Sequence, residues 1–215
     1  MNRMSANESW QSASVYDFWK EIALHEHIIQ LYDNEGILTD TMMGFVAAAI
    51  EADENAVVVA TYKHLNALED RMESYGLHIE TLISDHKFIP INVEEIVGAF
   101  IVNGQVDEER MNKILVNLPL KAAYNQKKYR MFGEMSSYLF SLGFKEAAIK
   151  LESAGNDFCK SIPGSACCVY PKKLFTGLLT EYSLPIYCSH TKIISGSEKQ
   201  ITHVHYGNVM HDHVS

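Results

Sequence analysis

The segment Arg130-Met131-Phe132-Gly133-Glu134-Met135 sets a fixed cation, a corner glycine and an acid close together in the chain. Glycine lets a backbone turn sharply where a strand hands over to a helix. An acid just past that corner meets the partial positive charge of the helix N-terminus. Open α/β sheets bind ligands in the crevice outside the carboxyl ends of their strands, so this corner is a candidate ligand rim. Thr61, Tyr62 and His64 follow a valine-rich run, and Asn92, Phe132, Tyr170, Ser189 and His190 are expected at the same edge. Apolar and aromatic groups with a few polar ones suit recognition of a small organic molecule better than bond breaking. The expected ligand-binding set is therefore Thr61, His64, Arg130, Glu134, Tyr170 and His190, with Arg130 and Glu134 paired across the rim or touching a polar end of the ligand. The blander roles are a helix cap for His64 and a hydrogen-bonded core histidine for His190.

Other chemistries lack their marks. There is no G-x-x-x-x-G-K-[ST] loop and no G-x-G-x-x-G. The loop Tyr32-Asp33-Asn34-Glu35-Gly36 carries two acids and would repel a triphosphate. No G-x-S-x-G elbow or H-E-x-x-H helix occurs, so no catalytic residue is assigned and an enzyme is not expected. His25-Glu26-His27 falls at the start of a strand, away from the rim, and reads as structural or surface-exposed. Cys159, Cys167, Cys168 and Cys188 form no C-x-x-C pair and read as reduced thiols, with a redox role open for whichever of Cys167, Cys168 and Cys188 faces a pocket. His203, His205, His211 and His213 alternate in a way that lets extended chain share a metal, but they match no zinc template and read as a solvated tail. No metal or cofactor is required.

With 215 residues, 47% of them apolar, the chain can bury one substantial core. A net charge of -9 argues against binding nucleic acid through phosphates. No apolar run approaches the roughly 18 residues of a membrane span, and Met1–Gln11 lacks the regions of a signal peptide. A cytoplasmic protein is expected.

The elements that must position the rim alternate. Strands are predicted at His27–Tyr32, Ala56–Tyr62, His78–Ile83, Lys87–Ile91, Lys128–Phe132, Ser165–Tyr170 and Ile186–Ile194. Helices are predicted at Ser14–Leu24, Ile37–Ala52, Lys63–Tyr75, Val93–Val102, Asp107–Ala123, Glu134–Leu142, Phe144–Phe158 and Lys172–Tyr182. That alternation predicts a mostly parallel sheet with helices on both faces. Residues 1–24 read as a helical extension, 25–194 as one domain and 195–215 as a histidine-rich tail.

Several of these segments, in this order, resemble the MEDS domain family of sensory domains. The resemblance is carried by His27-Ile-Ile-Gln-Leu-Tyr32-Asp33, by Val58-Val-Ala-Thr61 with His64 and Leu65, and by Phe100-Ile-Val-Asn-Gly104 with Asp107. Arg130-Met-Phe-Gly-Glu-Met135, Gly143 with Ala147, Ala148, Leu151 and Glu152, Cys168-Val-Tyr-Pro171 and Cys188-Ser-His190 continue it. The resemblance implies a RecA/KaiC-like sheet with no working phosphate loop, and a sensory role toward small hydrocarbon-like or other organic ligands. It also implies a histidine kinase, anti-sigma-type kinase or transcriptional regulator as output, here expected in trans. Apart from the resemblance, a homodimer is an arrangement left open. Asn92-Val93 replaces the family's Asp-Ala, the region after Leu142 lacks its tryptophans, and the histidine-rich tail lies outside its pattern. The two competing readings are a nucleotide-binding enzyme with a degenerate phosphate loop and a ligand-free interaction module.

Overall fold

The computed structural model describes residues 18–122, 127–161, 163–175, 180–197 and 200–206. Strand β1 (His27–Tyr32) leads into helix α1 (Glu35–Glu51), β2 (Asn55–Ala60), α2 (Tyr62–Ser74), α3 (Ile79–Ser84) and β3 (Phe88–Asn92). Helix α4 (Val93–Phe100) is followed by the short strands β4 (Ile101–Val102) and β5 (Gln105–Val106), then α5 (Glu108–Ala122). The second half runs β6 (Tyr129–Gly133), α6 (Met135–Ser141), α7 (Lys145–Ser161), β7 (Gly164–Pro171), α8 (Thr180–Cys188), β8 (Lys192–Ser197) and β9 (Gln200–Tyr206).

Seven strands form one sheet in the order β3-β2-β6-β7-β1-β8-β9. All neighbours run parallel except β9, which returns antiparallel along β8. Every residue of β2 is buried, as expected of a β-branched run covered on both faces. Strand alternation divides the interior in two. Ile28, Val58, Phe132, Cys167 and Val169 face α1, α2 and α3. Ile29, Val57, Val59, Tyr129 and Tyr170 face the layer of α4 to α8. Cys167 and Cys168 consequently point to opposite sides of the sheet.

The caps explain where the helices near the rim begin. The Asn34 side chain accepts the Ile37 N–H at 3.0 Å, and Thr61 Oγ1 accepts the His64 N–H at 3.3 Å. Asn92 Oδ1 accepts from the N–H groups of Glu94 and Glu95 at 2.7 and 3.1 Å, which sets the start of α4. Helix α4 ends at Phe100, before the predicted Val102, because Asn103 and Gly104 both adopt left-handed φ (51° and 76°) and turn β4 back onto β5.

Three sequence expectations are corrected. His78–Ile83, expected as a strand, forms α3, with His78 at its N-cap position. Lys172–Tyr182, expected as one helix, begins instead with a 3₁₀ turn over Lys172–Leu174 that ends at Phe175, and Thr180–Tyr182 are α-helical. Ile186–Ile194, expected as the last strand, is helical to Cys188, turns at Ser189-His190 and becomes strand only at Lys192. Short apolar runs fit helix and strand alike, and packing of the fully buried Ile186 against the second face decides for helix. The sheet also continues past residue 194. Ser195, read as the start of a tail, pairs with His203 on β9, and Ile193 pairs with His205. His211 and His213 lie outside the described residues, as does the Ser14–Asp17 part of the first predicted helix. Its remainder is helical at residues 18–20, where Trp19 is fully buried and packs edge-on against Phe45. Among the described residues no helix is long and apolar enough to cross a membrane.

Candidate functional site

The six expected site residues separate into three places. Thr61, His64 and Glu134 do meet at the carboxyl ends of β2 and β6. The Glu134 carboxylate accepts the Thr61 N–H at 3.0 Å and pairs with His64 Nδ1 at 2.8 Å. The Glu134 N–H in turn donates to the Val59 carbonyl at 2.8 Å, which holds the corner onto β2. Burial pushes the His64 pKa down, but the hydrogen bond and charge of Glu134 outweigh it and the net shift is upward. This trio is largely satisfied internally and staples α2 and α6 to the rim.

Arg130 is not at the rim. It is the second residue of β6, near the opposite end of the sheet, where it donates to Glu54 at 2.5 Å and to the Trp19 carbonyl. The expected Arg130–Glu134 pair does not form. Strand geometry gives the reason: β6 runs from Tyr129 to Gly133, so residues at its two ends lie roughly 13 Å apart. Only after β6 has crossed the sheet does Glu134 begin.

Tyr170 and His190 meet in the interior, with three partners from elsewhere in the chain. Glu152, on α7, is fully buried and accepts the Tyr170 hydroxyl on Oε1 at 2.5 Å. Its other oxygen lies 3.2 Å from His190 Nε2 and 3.5 Å from His27 Nε2. His27 Nε2 is also 3.3 Å from the Cys168 sulfur. The two imidazoles stack with centroids 4.0 Å apart. Their other nitrogens are tied to backbone: His27 Nδ1 donates to the Ser189 carbonyl at 2.9 Å, and His190 Nδ1 to the Ile186 carbonyl at 2.6 Å.

Local structure explains the convergence. His27 and Ile29 share one face of β1, and Cys168 and Tyr170 share the same face of β7, which is paired to β1 in parallel register. Ala148, Glu152, Gly155 and Cys159 recur at helical spacing and form the inward stripe of α7. Gly155 makes room: a Cβ there would sit 3.1 Å from the His27 ring. The turn after α8 delivers His190, and the Thr191 N–H donates to the His27 carbonyl at 2.7 Å to anchor β8 beside β1.

The electrostatics follow from burial and neighbours. Burial, with the nearby His190 ring acting the same way, lowers the His27 pKa to about 4, so this imidazole is neutral near pH 7. Burial would raise the Glu152 pKa, yet the two histidines and the Tyr170 hydroxyl hold it down at about 2. Burial, and then the Glu152 charge, push the Cys168 thiol well above its usual range.

Beside this cluster lies a cavity of about 660 Å³ between the second face of the sheet and helices α5 and α7. Leu115, Leu118, Met131, Met135, Leu151 and Phe158 supply much of its wall. His27 and Cys168 reach it from the cluster, and the corner residue Gly133 reaches it from the rim. Glu134 turns to the other side, toward Thr61 and His64. Sequence reading placed no metal or ligand role on His27, Glu152 or Cys168. Each nevertheless sits in a segment that carries the family resemblance, and Glu152 interrupts an otherwise small or apolar helix stripe, which was the available signal.

Fold and site together describe a mostly parallel α/β domain with a buried His–Glu–Cys–His cluster and a largely apolar cavity against it. The chain belongs to the MEDS family: the model of the MEthanogen/methylotroph, DcmR Sensory domain matches residues 26–183, well over half of the sequence. The match covers β1 through the first turn of α8, and so includes every cluster residue but His190. MEDS is a family of sensory domains, and a sensory role fits this chain. No curated protein matches it in sequence.

Proposed function

We propose that the cavity on the second face is the sensory pocket, that it takes a small and largely apolar organic molecule, and that occupancy is passed to a kinase- or regulator-type partner. The observation carrying this is the cavity itself. Its volume falls within the range of about 300–1,000 Å³ common for small-molecule sites, and its wall is mostly aliphatic with a few polar groups. The role is binding without turnover. On this reading the Thr61–His64–Glu134 trio shapes the upper end of the pocket through Gly133, and Tyr170 and His190 act from behind its wall. A RecA/KaiC-like scaffold that has lost its phosphate grip belongs to the same proposal. Its support is the parallel sheet and a loop after β1 whose acids are already paired, Asp33 with Lys172 at 2.5 Å and Glu35 with Lys63 at 2.6 Å. Free thiols at all four cysteines suit a cytoplasmic setting.

Helix α5 offers a route for the signal. Val116 lines the cavity and yet is 68% exposed, so α5 is a thin wall between ligand and solvent. A ligand that favours one position of α5 biases whatever docks on its outer side.

Thermal-shift measurements with chlorinated methanes, short alkanols and benzene test the pocket. A compound that prefers the folded state raises Tm in a saturable way. Ala154→Trp adds bulk at an exposed position of the cavity wall, and it is expected to abolish that rise while leaving the unliganded Tm nearly unchanged. No shift with any of these compounds, or shifts that survive both Ala154→Trp and Met131→Trp, would overturn the assignment.

A further inference from the structure

We propose that His27, Glu152, Cys168 and His190 form a binding site for one divalent transition-metal ion of the zinc type. Each residue offers one ligating atom, and the four atoms lie within 4.8 Å of one another. The donor set of two imidazole nitrogens, one carboxylate oxygen and one sulfur is one that zinc takes tetrahedrally. Tetrahedral bonds of about 2.0–2.3 Å separate neighbouring ligand atoms by roughly 3.3–3.7 Å. Three of the six separations are 3.2, 3.3 and 3.5 Å and the other three are no more than 4.8 Å, so the side chains need to close by about 1 Å at most around an ion.

The orientation of the groups gives a second reason. Both histidines donate from Nδ1 to backbone carbonyls, which turns both Nε2 atoms inward. There they face the Glu152 carboxylate, an acceptor, and the Cys168 sulfur. Glu152 Oε2 and His190 Nε2 are both buried and have no hydrogen-bond partner beyond their own 3.2 Å contact. Buried polar atoms converging in this way suit a shared cation. The outer contacts are those that orient metal ligands: carbonyls of Ser189 and Ile186 on the two Nδ1–H groups, and the Tyr170 hydroxyl on the distal carboxylate oxygen.

Binding is a ligand exchange that balances in charge. The ion arrives as a hydrated dication, the Cys168 S–H bond breaks, and its proton leaves to solvent as the metal–sulfur bond forms. Thiolate and carboxylate then neutralise the two positive charges, with both histidines neutral.

The test uses the full chain, stripped with a chelator and titrated with zinc alone, then with cobalt(II) as a spectroscopic stand-in. One equivalent per chain is expected, with thiolate-to-cobalt charge-transfer and tetrahedral ligand-field bands. Cys168→Ser, nearly isosteric, is expected to remove the charge-transfer band, and Glu152→Gln to weaken zinc binding by more than the about 10–100-fold typical of losing an outer-sphere partner. Tyr170→Phe, an outer-sphere change, is expected within that 10–100-fold range. Replacing His203, His205, His211 and His213 together with Asn should leave stoichiometry and spectrum intact. The proposal fails if wild-type protein shows no thiolate–cobalt band, a result that requires no variant to fold. It also fails if binding follows the four C-terminal histidines instead of Cys168 and Glu152. Loss of organic-ligand binding in the cavity with the cobalt spectrum retained would count against the sensory pocket alone.

Discussion

Replacing Gly155 with alanine is the sharpest probe of how tightly α7 is seated on His27. In an unconstrained helix interior this change stabilises a protein by about 0.5–1 kcal/mol, because glycine loses more backbone entropy on folding. Here the new methyl would stand 3.1 Å from two atoms of the His27 ring. The ring has little room to yield: its Nδ1 is bonded to the Ser189 carbonyl at 2.9 Å, and its face is stacked on His190 at 4.0 Å. Overpacking a fitted interior costs about 1–3 kcal/mol. Set against the helix gain, the net expectation is a loss of about 1 kcal/mol. For a protein of this size that lowers Tm by about 2–4 °C. Gly98 in α4 is the control, since it is exposed and nothing lies within 4 Å of where its Cβ would be. Gly98→Ala should therefore stabilise by about 0.5–1 kcal/mol. Urea unfolding of both variants beside wild type measures the difference as opposite shifts in midpoint at unchanged slope. If Gly155→Ala stabilises as much as Gly98→Ala, the close seating of α7 on a rigid His27 is refuted.

Arg130→Met leaves Glu54 and the Trp19 carbonyl without their partner; it should cost about 3 kcal/mol in chemical denaturation, and any ligand-induced Tm shift should be unaltered because Arg130 lies at the far end of the sheet. Glu134→Gln keeps an acceptor for the Thr61 N–H but removes the charge facing His64, for an expected loss of about 1–2 kcal/mol by the same assay. The His64–Glu134 contact should also make stability pH-dependent. The folded His64 pKa is raised, so this contribution is complete below the unfolded value of 6.5 and disappears as pH rises through the higher folded value. Urea midpoints measured from pH 5.5 to 8.5 should thus fall more across that window in wild type than in His64→Gln, and equal slopes would contradict the assignment.

Fold class was legible because periodicity records which faces are buried. Ala56-Val-Val-Val-Ala60 carries no polar residue and could only be a strand covered on both sides, and Asn92 announces α4 through its side chain. Adjacency in the chain likewise exposed the Cys167/Cys168 alternation. His78–Ile83 and Ile186–Ile194 were misread because a run of a few apolar residues satisfies both periods, and only the surface it meets selects one. The rim was half legible. Thr61, His64 and Glu134 each follow the carboxyl end of a strand, so knowing the strand direction was enough to group them. Arg130 needed one more fact, that a strand crosses the whole sheet between its opening residues and the corner that follows it.

What the residues by themselves determined is the alternation of strands and helices, the absence of a phosphate loop and the glycine–acid corner at Gly133-Glu134, since each depends only on neighbours in the chain. Tertiary structure decided the chemistry. His27 opens β1, His190 comes from the turn just before the adjacent parallel β8, Cys168 from β7 on the other side of β1 and Glu152 from the helix laid across them. Parallel strands return to neighbouring positions only after long crossovers, so residues more than a hundred positions apart share one point in space, and no local pattern can encode that meeting.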